Sequence, residues 1–511
     1  MQEVDSLISQ IRKWVGHEAE CGFISTFICG CLIHLFIYVN HLPTYSGLNL
    51  FENDGSWHAL EGRWFAAILE RATSRVTIPF LLGMMSLLFW SLSFAVIVKI
   101  FNLKSCSAII LASAIYISFP TVATLNCFLY TSHCFAIGVL FACLGVWLVL
   151  KKSRMMSLAG VLCWVLSLAS YQAFLSVAML LIFVIVALDV IDGKEIKEIW
   201  AQIAKYSILI LLSLGVYYIT FKAYLLMAHV QSYRDFELTV DSVLRGIVKC
   251  YVGAYWFLTY GSVFSLPIGR VIVVITFVTI IMIVGKLILS RWRGYNYKSI
   301  RILLLIGISV TCPIVANYAF VVSPDEAKVY RQFVAYAIFF ILPIILCERY
   351  EGVISEFWSK RKQRVLQQLV VITALSSALF FGVIDNIAYM NSYLQYEREY
   401  SLAVRIVDRI ESADGYEPGM PVIIMFNKDY GSLYGRTLEA HLDKYIPGME
   451  QQGWGYIATP TGVCNFIKYF IQTNMNIQWE EIDRSILEEM NKWPKENCVL
   501  IRDGKLYMWL T

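Results

Sequence analysis

Apolar runs of about 20 residues recur along most of this chain and constrain its fold more than any other feature. A run of that length crosses a bilayer as an α-helix, because a helix satisfies its own backbone hydrogen bonds where no water is present. Only 16% of the residues are charged, against roughly a quarter in soluble proteins. The chain is therefore predicted to be a polytopic α-helical membrane protein with about 11 transmembrane helices. The eleven predicted spans are 22–40, 76–101, 105–123, 127–150, 155–169, 173–191, 206–229, 271–289, 302–322, 333–348 and 365–388.

The placement of Lys and Arg between the spans orients this topology. With the N-terminus inside, most of these residues fall in predicted cytoplasmic loops, as the positive-inside rule expects. Eleven spans then place the C-terminus outside, together with three outer loops at 41–75, 230–270 and 323–332. The apolar, aromatic stretch 247–266 is predicted to be interfacial or re-entrant, because a further span there would move the basic segment 291–301 to the outside.

The last part of the chain has the composition of a soluble domain. Residues 1–388 are predicted to form the membrane module and 389–511 a small extracytoplasmic α/β domain. Pro421–Asn427 has the pattern of a buried strand, and Asn497–Leu510 that of a hairpin around Asp503-Gly504.

Several functions are disfavoured by what the sequence lacks. The 42 Lys and Arg residues barely exceed the 38 Asp and Glu residues, whereas a nucleic-acid binder carries a strongly basic face. Neither a P-loop nor a G-x-G-x-x-G motif occurs, and the histidines show no metal-ligand spacing. Nothing in the sequence requires a cofactor, although a divalent cation stays open. Cys464 and Cys498 could pair or remain free thiols.

The first outer loop carries the residues best suited to catalysis. Glu52 and Asp54 lie two residues apart in a Gly- and Asn-containing segment, where a carboxylate can act as general base on a hydroxyl. Arg63 follows on a predicted amphipathic helix at the membrane surface and could bind a lipid phosphate. The alternative is structural, since Asp54 or Ser56 could simply cap that helix.

Other outer residues extend this hypothesis. Arg245, Lys328 and Arg331 run against the positive-inside rule, so an anionic lipid ligand is a good reason for their presence. They could instead pair with carboxylates such as Asp241 and Asp325, or reach lipid headgroups. Tyr171-Gln172 sits at a predicted outward turn, where the amide could bind sugar hydroxyls or only join two helices.

Three features resemble the bacterial serotype-converting membrane glucosyltransferases of the Gtr type II family. One is the acidic residue before Gly-Arg-Trp, seen here as Asp54 and Gly62-Arg63-Trp64. The second is the small-residue turn Ser167-Leu-Ala-Ser-Tyr171-Gln172-Ala173. The third is the plan of about ten spans followed by a compact outer α/β domain. The resemblance covers most of the chain.

This resemblance implies a C-type (GT-C) glycosyltransferase in the bacterial cytoplasmic (inner) membrane. The donor would be a sugar, by default glucose, on undecaprenyl phosphate or a related polyprenyl phosphate. The acceptor would be a lipid-linked or nascent glycan such as O-antigen or wall polysaccharide. Asp54 matches the family's catalytic acid, while Glu52 and Asn53 depart from its frequent Asp-Asp pair, so Glu52 is the second candidate. Trp64 would contribute to substrate binding, and inversion at the anomeric carbon is expected.

Two other classes of membrane protein fit part of this pattern. A flippase or transporter of lipid-linked sugars would share the spans and the anion-binding charges, but no internal repeat is visible here. A polysaccharide polymerase or ligase would also be an enzyme, with its function concentrated in a larger middle or late outer loop. A non-catalytic scaffold is the third alternative.

Overall fold

A computed structural model describes residues 16–48, 56–73, 76–232, 239–291, 298–325, 327–425, 441–449, 455–457, 459–478, 480 and 484–510. The described chain is mainly helical. Its first ten α-helices are α1 (His17–Val39), α2 (Ser56–Leu60), α3 (Trp64–Ala72), α4 (Pro79–Phe101), α5 (Cys106–Ile117), α6 (Pro120–Cys127), α7 (Ser132–Val149), α8 (Arg154–Ser170), α9 (Leu175–Ile191) and α10 (Ile196–Ala228). The others are α11 (Val240–Thr259), α12 (Pro267–Arg291), α13 (Lys298–Ala316), α14 (Ala319–Val322), α15 (Ala337–Arg349), α16 (Glu351–Phe357), α17 (Lys360–Glu411), α18 (Pro460–Phe466) and α19 (Arg484–Glu488).

The multi-pass architecture predicted from the sequence is supported. Within the described residues, nine helices are long and apolar enough to cross a membrane, and the bent pair α5 and α6 would make a tenth. The predicted span at 155–169 corresponds to α8, a shorter apolar helix. The count of eleven and the orientation therefore stay predictions.

The break between α5 and α6 has a local cause. Pro120 occupies the first turn of α6, and Phe119 before it is extended, with φ −63° and ψ 128°. A proline disfavours the α conformation in the residue that precedes it, which accounts for the extended Phe119 and the break at this point. The two helices meet at an angle of 48°.

An aromatic core joins the broken span to the later helices. The ring of Phe119 lies 5.6 Å from that of Phe381 on α17 and 5.5 Å from that of Phe340 on α15. Phe264 stacks on Phe340 at 5.2 Å. By contrast, α10, α12 and α13 expose long apolar faces, which suits contact with lipid tails.

Helix α11 covers the stretch predicted to be interfacial and is not among the nine long apolar helices. One of its faces, with Gly246, Cys250 and Phe257, is buried in the protein. Its opposite face exposes apolar residues such as Leu244 and Val248. This amphipathic pattern is typical of a helix that lies in a membrane interface.

A small mixed sheet follows the membrane helices. Its strands are β1 (Val422–Met425), β2 (Ile477–Gln478), β3 (Val499–Arg502) and β4 (Lys505–Trp509), in the order β2-β1-β4-β3. β1 is parallel to both of its neighbours, and β3 and β4 form the predicted antiparallel hairpin. Asp503 and Gly504 both have positive φ, as a two-residue hairpin turn requires.

Helix α17 connects the two parts of the molecule. It has 52 residues, equivalent to about 78 Å, and continues through the boundary predicted at 389. Its C-terminal residues Leu402, Ile406 and Ile410 pack in one hydrophobic cluster with Val422 of β1 and Met508 of β4. The proposed C-terminal domain therefore includes the end of a membrane helix as part of its core.

Candidate active site

The site is built around the first predicted outer loop. Asp54 and Glu52, the two predicted catalytic acids, lie outside the described residues, which end at Leu48 and resume at Ser56. The two short helices α2 and α3 follow directly and carry the remaining candidates of this loop. The contacts of α2 and α3 therefore describe the part of the site that follows the acidic segment in the chain.

The Glu61–Arg63 junction between α2 and α3 is held by hydrogen bonds to its backbone. The Gln172 amide donates to the Glu61 carbonyl at 2.6 Å and to the Tyr217 hydroxyl at 3.0 Å. The Tyr217 hydroxyl donates in turn to the Gly62 carbonyl at 3.0 Å. Gln172 therefore uses its amide to fix this turn, and binding of sugar hydroxyls by Gln172 stays a prediction.

Position 62, in the middle of this junction, strongly favours glycine. Its φ is +88°, and a Cβ atom would lie 2.4 Å from the Tyr217 hydroxyl and 2.9 Å from Gln172 Nε2. Positive φ and close approach both favour glycine, which lacks a side chain. The Gly-Arg-Trp motif thus begins with a residue that allows the Gln172–Tyr217 pair to reach the backbone.

Arg63 follows Gly62 and is largely buried. Its Nη1 lies 2.9 Å from Glu61 Oε2, and its guanidinium lies 4.7 Å from the centre of the Tyr171 ring. Its Nε is buried without a hydrogen-bond partner among the described residues, and the same is true of Trp64 Nε1. Two donors next to the predicted catalytic segment are therefore available to an acceptor such as a phosphate oxygen.

Arg331 approaches the same place from the third predicted outer loop. Its guanidinium lies 5.1 Å from the centre of the Phe128 ring. Burial raises the pKa of the neighbouring Tyr130 hydroxyl, as does the charge of Glu70, whereas the charges of Arg63 and Arg331 lower it. The Phe128 ring lies 6.5 Å from the Tyr130 ring, so Arg331 is near the hydroxyl whose pKa the charge of Arg63 also lowers, although the two arginines are 268 residues apart in the chain.

A buried His58–Glu70 pair borders this group. His58 Nδ1 lies 2.8 Å from Glu70 Oε1, and both side chains are buried. The His58 ring also stacks on Tyr130 at 5.9 Å. The pair fastens α2 to α3 immediately after the acidic segment.

Arg245 and Lys328 form a second group with different surroundings. Arg245 is exposed and pairs with Asp241 at 2.9 Å and Asp325 at 3.1 Å. Lys328 lies 5.9 Å from the Trp256 ring centre. Burial lowers the pKa of Lys249 nearby, the charge of Asp325 opposes this, and the charge of Lys328 adds to it. The four predicted cations thus fall into two groups, and pairing with carboxylates accounts for Arg245.

Tyr130, Tyr217 and Tyr318 contribute to the site without any signal in the sequence. The Tyr318 hydroxyl donates to the Gln172 carbonyl and so adds a further hydrogen bond that holds the Tyr171–Gln172 turn. Each of these tyrosines lies in or beside an apolar segment, where a packing role is the ordinary expectation. Only tertiary contact identifies them.

The described residues contain no group of three or more His, Cys, Asp or Glu side chains that could hold a metal ion. Cys464 and Cys498, whose pairing the sequence left open, do not form a disulfide with each other. The site as described is therefore one of arginines and aromatic donors. Such a set can bind a phosphate group and stabilise charge on its oxygens.

A comparison with protein families places this geometry in context. A family model described as "Glucosyl transferase GtrII" matches residues 48–347, which is 300 of the 511 residues. No curated protein matches the chain significantly, and no solved structure does. The matched region includes the acidic segment, the Arg63 junction, the Tyr171–Gln172 turn and Arg331.

Proposed function

Because the chain belongs to the GtrII glucosyl transferase family, we propose that it transfers a glucosyl residue from a polyprenyl-phosphate-linked donor to a cell-surface polysaccharide. The acceptor is a hydroxyl of a lipid-linked or nascent glycan, and the added sugar is a side branch. The reaction takes place at the outer face of the bacterial cytoplasmic membrane, with the N-terminus inside. The C-terminal domain, residues 389–511, lies outside, and the membrane module has a GT-C plan.

The observation that carries this proposal is the placement of Arg63, whose guanidinium lies 4.7 Å from the centre of the Tyr171 ring and whose Nε is buried without a hydrogen-bond partner among the described residues. A phosphodiester carries one negative charge, and guanidinium groups together with the indole N–H of Trp64 suit its oxygens. The Arg63 guanidinium lies over the Tyr171 ring, and its backbone follows the closely packed Gly62. These contacts preorganise the cation, which is what transition-state stabilisation requires.

The chemistry is a single inverting displacement. Asp54 accepts the proton of the acceptor hydroxyl, with Glu52 as the second candidate for this role. The acceptor oxygen forms a bond to the anomeric carbon while the bond from that carbon to the phosphate oxygen breaks. The departing polyprenyl phosphate takes the electron pair, and its extra negative charge is stabilised by Arg63 and Arg331. Trp64 contributes its indole N–H to the same leaving group.

The remaining predicted residues have secondary roles in this scheme. Arg245 and Lys328 attract the anionic lipid to the outer surface, because Lys328 shares the 323–332 loop with Arg331 and Arg245 pairs with Asp325 of that loop. Tyr171 and Gln172 border the sugar side of the site while they support Arg63.

A transfer assay tests the proposal. Purified protein in liposomes receives polyprenyl-phosphate [14C]glucose and a cell-surface glycan, and Asp54→Asn, Glu52→Gln and the exposed-site control Asp414→Asn are compared with wild type. Label that enters glycan with wild type and the control, but not with Asp54→Asn, supports the proposal. Loss with Glu52→Gln alone keeps the reaction and changes the base.

The same assay separates the alternatives. Movement of the labelled lipid between leaflets without transfer to glycan indicates a flippase. Transfer of an entire glycan instead of one sugar indicates a polymerase or ligase. Full activity of both acid variants would refute the proposed mechanism.

A further inference from the structure

The residues that lead into the acidic segment cross from one hydrophobic core to another. Leu42 is buried in the large core of the membrane helices, whereas Leu48 is buried in the cluster of the C-terminal domain with Leu402, Tyr456 and Phe466. Leu48 is the last described residue before Glu52 and Asp54. The N-terminal end of the acidic segment is therefore packed on the C-terminal domain.

Two tyrosine hydroxyls strengthen this contact. The Tyr456 hydroxyl donates to the Pro43 carbonyl at 2.9 Å, and Tyr456 is fully buried. The Tyr45 hydroxyl lies 2.6 Å from Thr459 Oγ1, which also accepts from Gly462 N and caps α18. A Cβ atom on Gly462 would lie 3.0 Å from the Tyr45 ring, so the contact is close on this side as well.

The C-terminal side of the contact is itself rigidly held. Glu399 of α17 accepts a hydrogen bond from Ile457 N at 3.0 Å and from Gln395 Nε2 at 3.2 Å, and its side chain is fully buried. The residue next to Tyr456 is thus fixed to the helix that continues from the membrane. Residues that hydrogen-bond to Tyr456 are therefore expected to have little freedom to move independently of the membrane helices.

We propose that the C-terminal domain is a positioning element for the catalytic loop, and that Tyr456 and Tyr45 are its positioning residues. The described residues on both sides of the acidic segment are then held: Pro43–Leu48 by the domain, and the Glu61–Arg63 junction by Gln172 and Tyr217. The inference rests on the proposed function, because it assigns the reacting carboxylates to this segment. It goes beyond the family match, which ends at residue 347 and leaves the C-terminal domain out.

The expected effect is on turnover instead of donor affinity. The donor phosphate is assigned to Arg63, whose junction is fixed by Gln172 and Tyr217, and to Arg331. Loosening Pro43–Leu48 is therefore expected to displace the base and to leave the anion site in place. Loss of a buried hydrogen bond in Tyr456→Phe should lower kcat about tenfold, with the KM for the donor changed by less than about twofold. Tyr45→Phe should lower kcat by a smaller factor, because Tyr45 is only partly buried.

The experiment combines kinetics with amide hydrogen exchange on the full-length protein. Tyr456→Phe, Tyr45→Phe and the double variant are compared with wild type and with Tyr116→Phe. Tyr116 is an equally buried tyrosine whose hydroxyl bonds to Ser93 inside the membrane bundle, so it controls for the loss of a buried hydroxyl. The proposal predicts faster exchange at 44–48 and lower kcat in the first three variants, and neither change in the control.

Three results would overturn the proposal. One is faster exchange with wild-type kcat, which would mean that the contact does not position the base. Another is lower kcat with unchanged exchange, or a higher acceptor KM alone, which would point to glycan binding. The third is unchanged exchange and kcat. If wild type transfers no sugar, the proposed function fails, and exchange at 44–48 still decides whether the domain anchors the loop.

Discussion

Two groups of basic residues on the predicted outer side differ in how the protein holds them. Arg63 is buried over Tyr171, and its junction is fixed by Gln172 and Tyr217. Arg245 is exposed and already paired with Asp241 and Asp325. The sequence predicts a lipid-phosphate role for both arginines. An unusual charge thus becomes a strong functional candidate only when the surrounding structure restricts it and leaves donors available.

The largest effect is expected from Gly62→Ala, which disrupts the hydrogen-bonded junction that positions Arg63. Strain from a left-handed backbone costs roughly 1–3 kcal/mol, and the Cβ would also collide with the Tyr217 hydroxyl and Gln172. Transfer activity should fall by about a hundredfold or more, because Arg63 would be displaced. Gly285→Ala is the control, since a Cβ at Gly285 meets no atom within 4 Å. Equal activity of the two variants would show that the junction is unimportant.

Arg63→Gln should have the next largest effect. Removal of a preorganised charge at a leaving group lowers kcat by about a hundredfold. Arg63→Lys should recover little of this loss, because a lysine cannot reproduce the planar contact with Tyr171. Arg405→Gln, at an exposed position of α17, serves as the matched control. Steady-state transfer kinetics check the expectation, which fails if Arg63→Gln retains more than about a third of wild-type kcat.

Arg331→Gln should lower activity by about tenfold and should be non-additive with Arg63→Gln. The rings that the two arginines contact both pack on Phe135, so the two cations share a packing partner and their effects are expected to couple. A double-mutant cycle on kcat/KM measures this coupling. Strictly additive losses would mean that the two cations serve separate sites.

The smallest effect is expected for Arg245→Gln. Its ion pairs are exposed and screened by salt, so transfer should change by at most about threefold. The change should shrink further when activity is measured at high ionic strength. A loss as large as that of Arg63→Gln, independent of salt, would remove the distinction between the two groups.

The features that were predictable from the sequence are those with local causes. The hairpin at Asp503-Gly504 follows from turn chemistry, and the membrane helices follow from the length of their apolar runs. The Gly62-Arg63-Trp64 motif was identified in the same way, as a short pattern within one loop.

The partners of that motif were not predictable, because they come from distant parts of the chain. Tyr217 hydrogen-bonds to Gly62, which is 155 positions away in the chain, and Tyr456 hydrogen-bonds to Pro43, which is 413 positions away. A single tyrosine in an apolar segment carries no pattern that distinguishes a hydrogen-bonding role from packing. The composition of residues 389–511 predicts a separate soluble domain. Its contact with the first loop is not predictable in this way, because helix α17 determines where the domain lies.

Binding of the lipid phosphate itself is the most direct test of the central claim. Undecaprenyl phosphate without sugar would be titrated into wild-type protein, Arg63→Gln and Arg245→Gln in detergent, and Kd would be measured by microscale thermophoresis. Arg63→Gln is expected to weaken binding about tenfold or more, while Arg245→Gln stays within about threefold of wild type. Equal affinities for wild type and Arg63→Gln would contradict the assignment of the phosphate to the Arg63–Arg331 group.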